Sequence, residues 1–133
     1  SRSSNDTTTE NITDLTFPII SGKRYKFKAS IIHTTSLGQV GIRIGINANV
    51  GVASVYQSVS IVTSGTGVNL FNLNTLGVPT FSGASSTSLF MSSVEGILIA
   101  NANGTAAIQY SKGAPNSGTI TIKAGSILEY FEI

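Results

Sequence analysis

The chain has 133 residues, the length of a single domain, with no Cys, no Trp, one His and only 11% charged side chains. Without Cys it holds no disulfide framework, thiolate zinc site or Cys nucleophile; one His excludes any motif with two imidazoles; apolar runs of about five residues are too short for a membrane-spanning helix. The net charge of +2 is a small excess, and of the eight cations only Lys23, Arg24, Lys26 and Lys28 cluster, with Tyr25 and Phe27 between them, which predicts no nucleic-acid partner.

Residues 1–11 lack any apolar side chain and are expected to form a disordered arm or linker, leaving 12–133 as one domain. From residue 12 the apolar pattern has period two. Tyr25, Phe27, Ala29 and Ile31 alternate with polar residues, as do Val40, Ile42, Ile44 and Ile46 with Gly41, Arg43, Gly45 and Asn47. Strands are predicted at 12–19, 23–35, 39–47, 51–62, 68–72, 87–92, 94–101, 105–111, 118–123 and 126–133, with no helix. Turns are expected at Ser21-Gly22, Leu37-Gly38, Asn103-Gly104, Pro115 to Gly118 and Ala124-Gly125. Asn103-Gly104 predicts a tight hairpin joining 94–101 to 105–111, with positive φ at Gly104. Residues 63–86 alternate weakly and read as a long surface crossing. Short strands at this spacing define an all-β fold, an antiparallel jelly-roll β-sandwich.

The residues supply no enzymatic constellation, and the sequence predicts a protein that is not an enzyme and uses no metal or cofactor. His33, at the end of an alternating strand, reads as a structural residue, partly exposed or stacked near Tyr25 and Phe27, rather than as a catalytic base. Glu129 and Glu132 fall on opposite faces of the last strand, so they form no two-carboxylate cleft. Glu95 is expected to be partly buried in an ion pair with Arg43, because a lone charge between apolar strands is costly.

Fourteen charges (eight cations and six anions) are few for the roughly 6,600 Å² surface of a monomer of this mass, so part of that surface is expected to be covered by other copies of the chain. The last strand makes the same point. Ile127, Phe131 and Ile133 lie on one side and Leu128 and Tyr130 on the other, although a sandwich strand needs one apolar face. Leu128, Tyr130 and Phe131 are therefore the candidate subunit-interface residues.

Several segments carry a family resemblance. Leu15-Thr16-Phe17-Pro18 followed by Ser21-Gly22-Lys23-Arg24-Tyr25-Lys26-Phe27 resembles the opening of a β-domain found at the ends of many tailed-bacteriophage virion proteins. Gly41-Ile42-Arg43, then Val94-Glu95-Gly96 with Asn103-Gly104-Thr105, then Thr119 to Leu128 resemble its later strands in order, covering about two thirds of the chain. Residues 48–92 carry no resemblance. The resemblance implies a fold similar to tumour-necrosis-factor-like jelly rolls, a homotrimer, and a place on the virion surface among other virion proteins. It supplies no catalytic residue. Three readings follow: a fibre or tail-tip module contacting a host surface glycan or protein, a capsid decoration or head-fibre protein, and an extracellular carbohydrate-binding jelly roll. None involves membrane insertion.

Overall fold

A strand with alternating apolar side chains has one face that water rejects, and two sheets built of such strands close on each other. The computed structural model, which describes residues 2–4, 9–36, 40–63, 68–78, 87–113 and 118–133, forms ten strands in this way. They are β1 (Arg2–Ser4), β2 (Glu10–Ile19), β3 (Arg24–Thr35), β4 (Ile42–Ala48), β5 (Val52–Val62), β6 (Val68–Leu73), β7 (Phe90–Ala100), β8 (Gly104–Lys112), β9 (Ile120–Ile122) and β10 (Ile127–Glu132). Among the described residues every named pairing is antiparallel and no helix occurs.

The larger sheet runs β1-β9-β3-β7-β5-β6, with β10 also paired to β3, and the smaller runs β2-β8-β4. A single bridge from Ile46 to Gly77 extends the smaller sheet beyond β4. The inward residues are those the alternation predicts: Phe27, Ala29 and Ile31 of β3, Ile42, Ile44 and Ile46 of β4, Val94 and Leu98 of β7 and Ile108 of β8 are sealed from water. Each buried Ile, Leu or Phe contributes about 1.5–3 kcal/mol. Phe17 of β2 crosses the interior to the other sheet, with ring centroids 5.8 Å from Tyr25 and 6.3 Å from Phe27. Buried Gln57 of β5 ties the sheets by hydrogen bonds: its Oε1 accepts from Ile46 N–H at 3.1 Å, and its Nε2 donates to Thr75 O at 2.8 Å and Gly77 O at 3.1 Å. Pro18 lies on β2, an edge strand, where a missing N–H is tolerated.

Three local expectations are corrected, and one expected turn is present but joins strands that do not pair. Residues 87–92 and 94–101 are not two strands; Phe90–Ala100 is continuous. Asn103-Gly104 makes no hairpin, because β7 pairs in the larger sheet and β8 in the smaller, and Gly104 has no positive φ. The glycine is needed there for space: a Cβ at Gly104 would lie 2.5 Å from Asn49 Oδ1 and 2.6 Å from Val50 Cγ2. Ala124-Gly125 is a turn, with φ +99° at Gly125, but β9 and β10 do not pair with each other. Both run antiparallel along β3, and Ser126 Oγ accepts from Ile32 N–H at 2.9 Å to hold the excursion between them. Finally, part of the expected disordered arm is strand: Arg2–Ser4 pair with β9, and Glu10 and Asn11 begin β2. Their backbone donors and acceptors, not apolar side chains, are what order them. The turns expected at Leu37-Gly38 and within 114–117, and residues 64–67 and 79–86 of the expected crossing, lie outside the described residues.

Candidate functional site

Among the described residues, His33 and Ser92 form a buried pair of nucleophile and imidazole types. His33 Nε2 lies 2.6 Å from Ser92 Oγ. Both are buried, contrary to the partly exposed His33 that its strand-end position suggests. The Ser92 hydroxyl also accepts from Val62 N–H at 2.9 Å, so this one side chain links β3, β7 and β5. Burial lowers the His33 pKa from 6.5 to about 4, which keeps the ring neutral at neutral pH. The arrangement ties strands together and is sealed from substrate. Among the described residues no group of three His, Asp or Glu could hold a metal.

The two outer faces of the sandwich differ in kind. Antiparallel register aligns the outward side chains of the larger sheet in rows. One row reads Phe131, Lys26, Ile97 and Tyr56 across β10, β3, β7 and β5. The next reads Glu129, Lys28, Glu95 and Ser58, so Lys28 stands between two carboxylates. Leu70 and Val68 of β6, Met91 of β7, and Ile127 and Ile133 at the β10 edge extend the apolar ground. Among the described residues, eight of the eleven exposed large hydrophobics lie on this one face. Single exposed apolar side chains need no explanation, but their concentration on one sheet face, on both sides of the row of Glu129, Lys28 and Glu95, sets that face apart from the other. A groove of about 770 Å³ lies within it, walled by Lys26, Tyr56, Ile97 and Glu95 on one side and by Asn72 and Asn74 on the other.

The outer face of the smaller sheet carries none of the exposed large hydrophobics among its strands. A trough of about 380 Å³ crosses it, lined by Asn11, Thr16, Asn47, Asn49, Thr105, Ala107 and Gln109. Not one of these side chains is ionisable.

Of the candidate interface residues, Phe131 stands outward with 58% of its surface exposed. Leu128 and Tyr130 turn the other way: Leu128 packs on the core, and the Tyr130 ring stacks on Phe17 at 4.6 Å. The outward companions of Phe131 are Ile127 and Ile133, not Leu128 and Tyr130. Arg43 and Glu95 do not meet as expected. Arg43 sits on β4 of the smaller sheet, where its Nε and Nη2 donate to Lys112 O at 3.3 and 3.1 Å. Glu95 is exposed on the larger sheet opposite Lys28. The sequence reading missed Tyr56, Leu70, Met91 and Ile97. A signal for two of them was present: β7 has Met91 and Ile97 on the parity opposite to Val94 and Leu98, the same two-faced pattern as β10.

Comparison with known proteins finds no matching family model, no matching curated protein and no matching solved structure.

Proposed function

We propose that this chain is a non-enzymatic structural module of a tailed-phage particle, a homotrimer at the end of a fibre or tail tip that contacts the host surface. The observation that carries the reading is the apolar outer face of the larger sheet. Its core-facing side is already satisfied by the smaller sheet, so burying the outer side requires another chain. A trimer about a threefold axis is the count that the virion-protein resemblance implies, with Phe131 and Ile97 in the contact and more than about 1,000 Å² buried in total.

The strand order supports the jelly-roll reading. The antiparallel pairs β2 with β8, β3 with β7, Ile46 with Gly77, and β5 with β6 are nested one inside the next. A ribbon of eight segments rolled on itself gives that nesting. One of the eight is reduced to the bridge at Gly77, and β9 and β10 are additions along β3.

Sedimentation equilibrium at micromolar concentration tests the assembly: a species of three times the 13.8 kDa chain mass is expected, and a single 13.8 kDa species overturns it. Antibody labelling of particles tests the position. Decoration of tail ends is expected, and decoration of the shell moves the protein to the capsid.

A further inference from the structure

We propose that the trough on the outer face of the smaller sheet is a binding site for a neutral, hydroxyl-rich ligand, a sugar unit of a surface glycan. Its biological partner rests on the host-contact reading above, but the site itself does not depend on the trimer.

The trough's volume of about 380 Å³ lies within the range of small-molecule sites. Its polar groups are four carboxamides and two hydroxyls, from Asn11, Asn47, Asn49, Gln109, Thr16 and Thr105. A carboxamide offers both a donor and an acceptor, and so does a sugar hydroxyl. A charged ligand would leave water for a site with no counter-charge, which is costly, whereas a neutral polyol exchanges hydrogen bonds like for like.

Three of the four amides are held in place before any ligand arrives. Gln109 Nε2 donates to Asn11 Oδ1 at 2.8 Å, fixing the two side chains across the β2–β8 pair. Asn49 Oδ1 accepts from Thr105 N–H at 2.8 Å, which leaves the Asn49 Nδ2 hydrogens for a ligand. Such pre-ordering lowers the entropy lost on binding. Ala107, on the outward side of β8 between Thr105 and Gln109, adds a small apolar surface that a pyranose C–H can meet. The absence of large exposed hydrophobics on β2, β8 and β4, among the described residues, argues against a protein partner here. The groove on the larger sheet, with Lys26, Glu95, Tyr56 and Ile97, lies on the apolar face that the assembly reading covers.

The test is a nuclear magnetic resonance titration of the full ¹⁵N-labelled chain with glucose, galactose, mannose and N-acetylglucosamine, and with N-acetylneuraminic acid as the anionic control. At least one neutral sugar should give saturable shifts of the side-chain amide signals of Asn11, Asn47, Asn49 and Gln109. Binding should weaken at least tenfold in Asn47→Ala and in Gln109→Ala, with the backbone spectrum of each variant retained. Absence of shifts with every neutral sugar, stronger binding of the anionic sugar, or shifts centred on Tyr56 would overturn the inference. A change of sedimenting mass in Asn47→Ala would do so too, because it would make the trough a subunit contact. A trimer that binds no sugar refutes the trough alone; a monomer whose amides shift refutes the trimer alone.

Discussion

The outer faces of the two sheets are built from the same kind of strand yet present opposite chemistry. On the larger sheet, Tyr56, Ile97 and Phe131 stand in one row with Lys26 among them, and Glu129, Lys28 and Glu95 form an alternating row beside it. On the smaller, the trough positions are Asn, Gln, Thr and Ala, with Arg43 further along β4. The inward faces are equally apolar, so folding alone does not require the difference. The contrast separates what the fold needs from what association needs. Exposed Ile and Phe side chains add nothing to the chain's own core, whereas small neutral polar groups are at ease in water, so the proposed association is assigned to the first face and the proposed ligand to the second.

The largest effect is expected from a charge placed in the apolar row. Phe131→Glu should weaken each subunit contact by about 2 kcal/mol or more, roughly thirtyfold, and three contacts per assembly should leave single chains at micromolar concentration. Gln109→Glu, the matched change on the other face, should leave the sedimenting mass unchanged. Equal dissociation by both variants would erase the distinction between the faces.

Between the faces, His33 sets a pH limit on the shared core. Its folded pKa of about 4 lies below the unfolded 6.5, so the unfolded chain binds the proton first. The contribution is fully present above pH 6.5 and is lost progressively as pH falls to about 4, reaching about 3 kcal/mol. Urea unfolding at fixed protein concentration, at pH 7, 5.5 and 4.5, should show the decline. A His33→Gln variant should be less stable at pH 7 and lack this component of the slope. Were the wild-type slope equal to that of the variant, His33 would not be the titrating group.

A smaller loss is expected at the junction that carries the chain from one sheet to the other. Gly104→Val drives a side chain into Asn49 and Val50 and should cost about 1–2 kcal/mol in thermal unfolding. Because Asn49 lines the trough, the same variant should shift the trough amides while leaving assembly intact. A tolerated valine would mean that the crossing adjusts freely. Smallest of all is Glu95→Gln. This exposed carboxylate opposite Lys28 should change stability by less than about 0.5 kcal/mol, measured by the same melts. A loss of 2 kcal/mol or more would mean that Glu95 makes a buried contact on the larger face.

The strands are legible because alternation is a local property: Ile42, Ile44 and Ile46 announce a buried face wherever the strand is placed. Sheet membership is not local. Asn103-Gly104 carries a hairpin signature, but the chain there crosses between sheets, and Ala124-Gly125 looks like a hairpin turn while β3 accepts the strands on both sides of it. The same limit explains Arg43 and Glu95. Each lies on a strongly apolar strand, and nothing in the residues themselves assigns those strands to different sheets. The larger face was half legible. Phe131 shows in the two-sided pattern of β10, but its row with Ile97 and Tyr56 exists only through the registers of three strand pairs. The trough was not legible, because Asn11, Asn47 and Gln109 are separated by long stretches of chain and are ordinary polar residues until the strands align.

The wild-type chain contains no Cys, so a single introduced thiol is a unique reporter of burial. Ile97→Cys places it in the apolar row of the larger sheet and Thr105→Cys in the trough of the smaller. Rates of thiol alkylation, compared between assembled protein and protein diluted to single chains, measure which face a neighbour covers. If the larger sheet is the subunit contact, the thiol at position 97 is protected at least tenfold on assembly and the thiol at position 105 reacts equally in both states. Protection at 105 with free reaction at 97 would contradict that claim and place the contact on the opposite face.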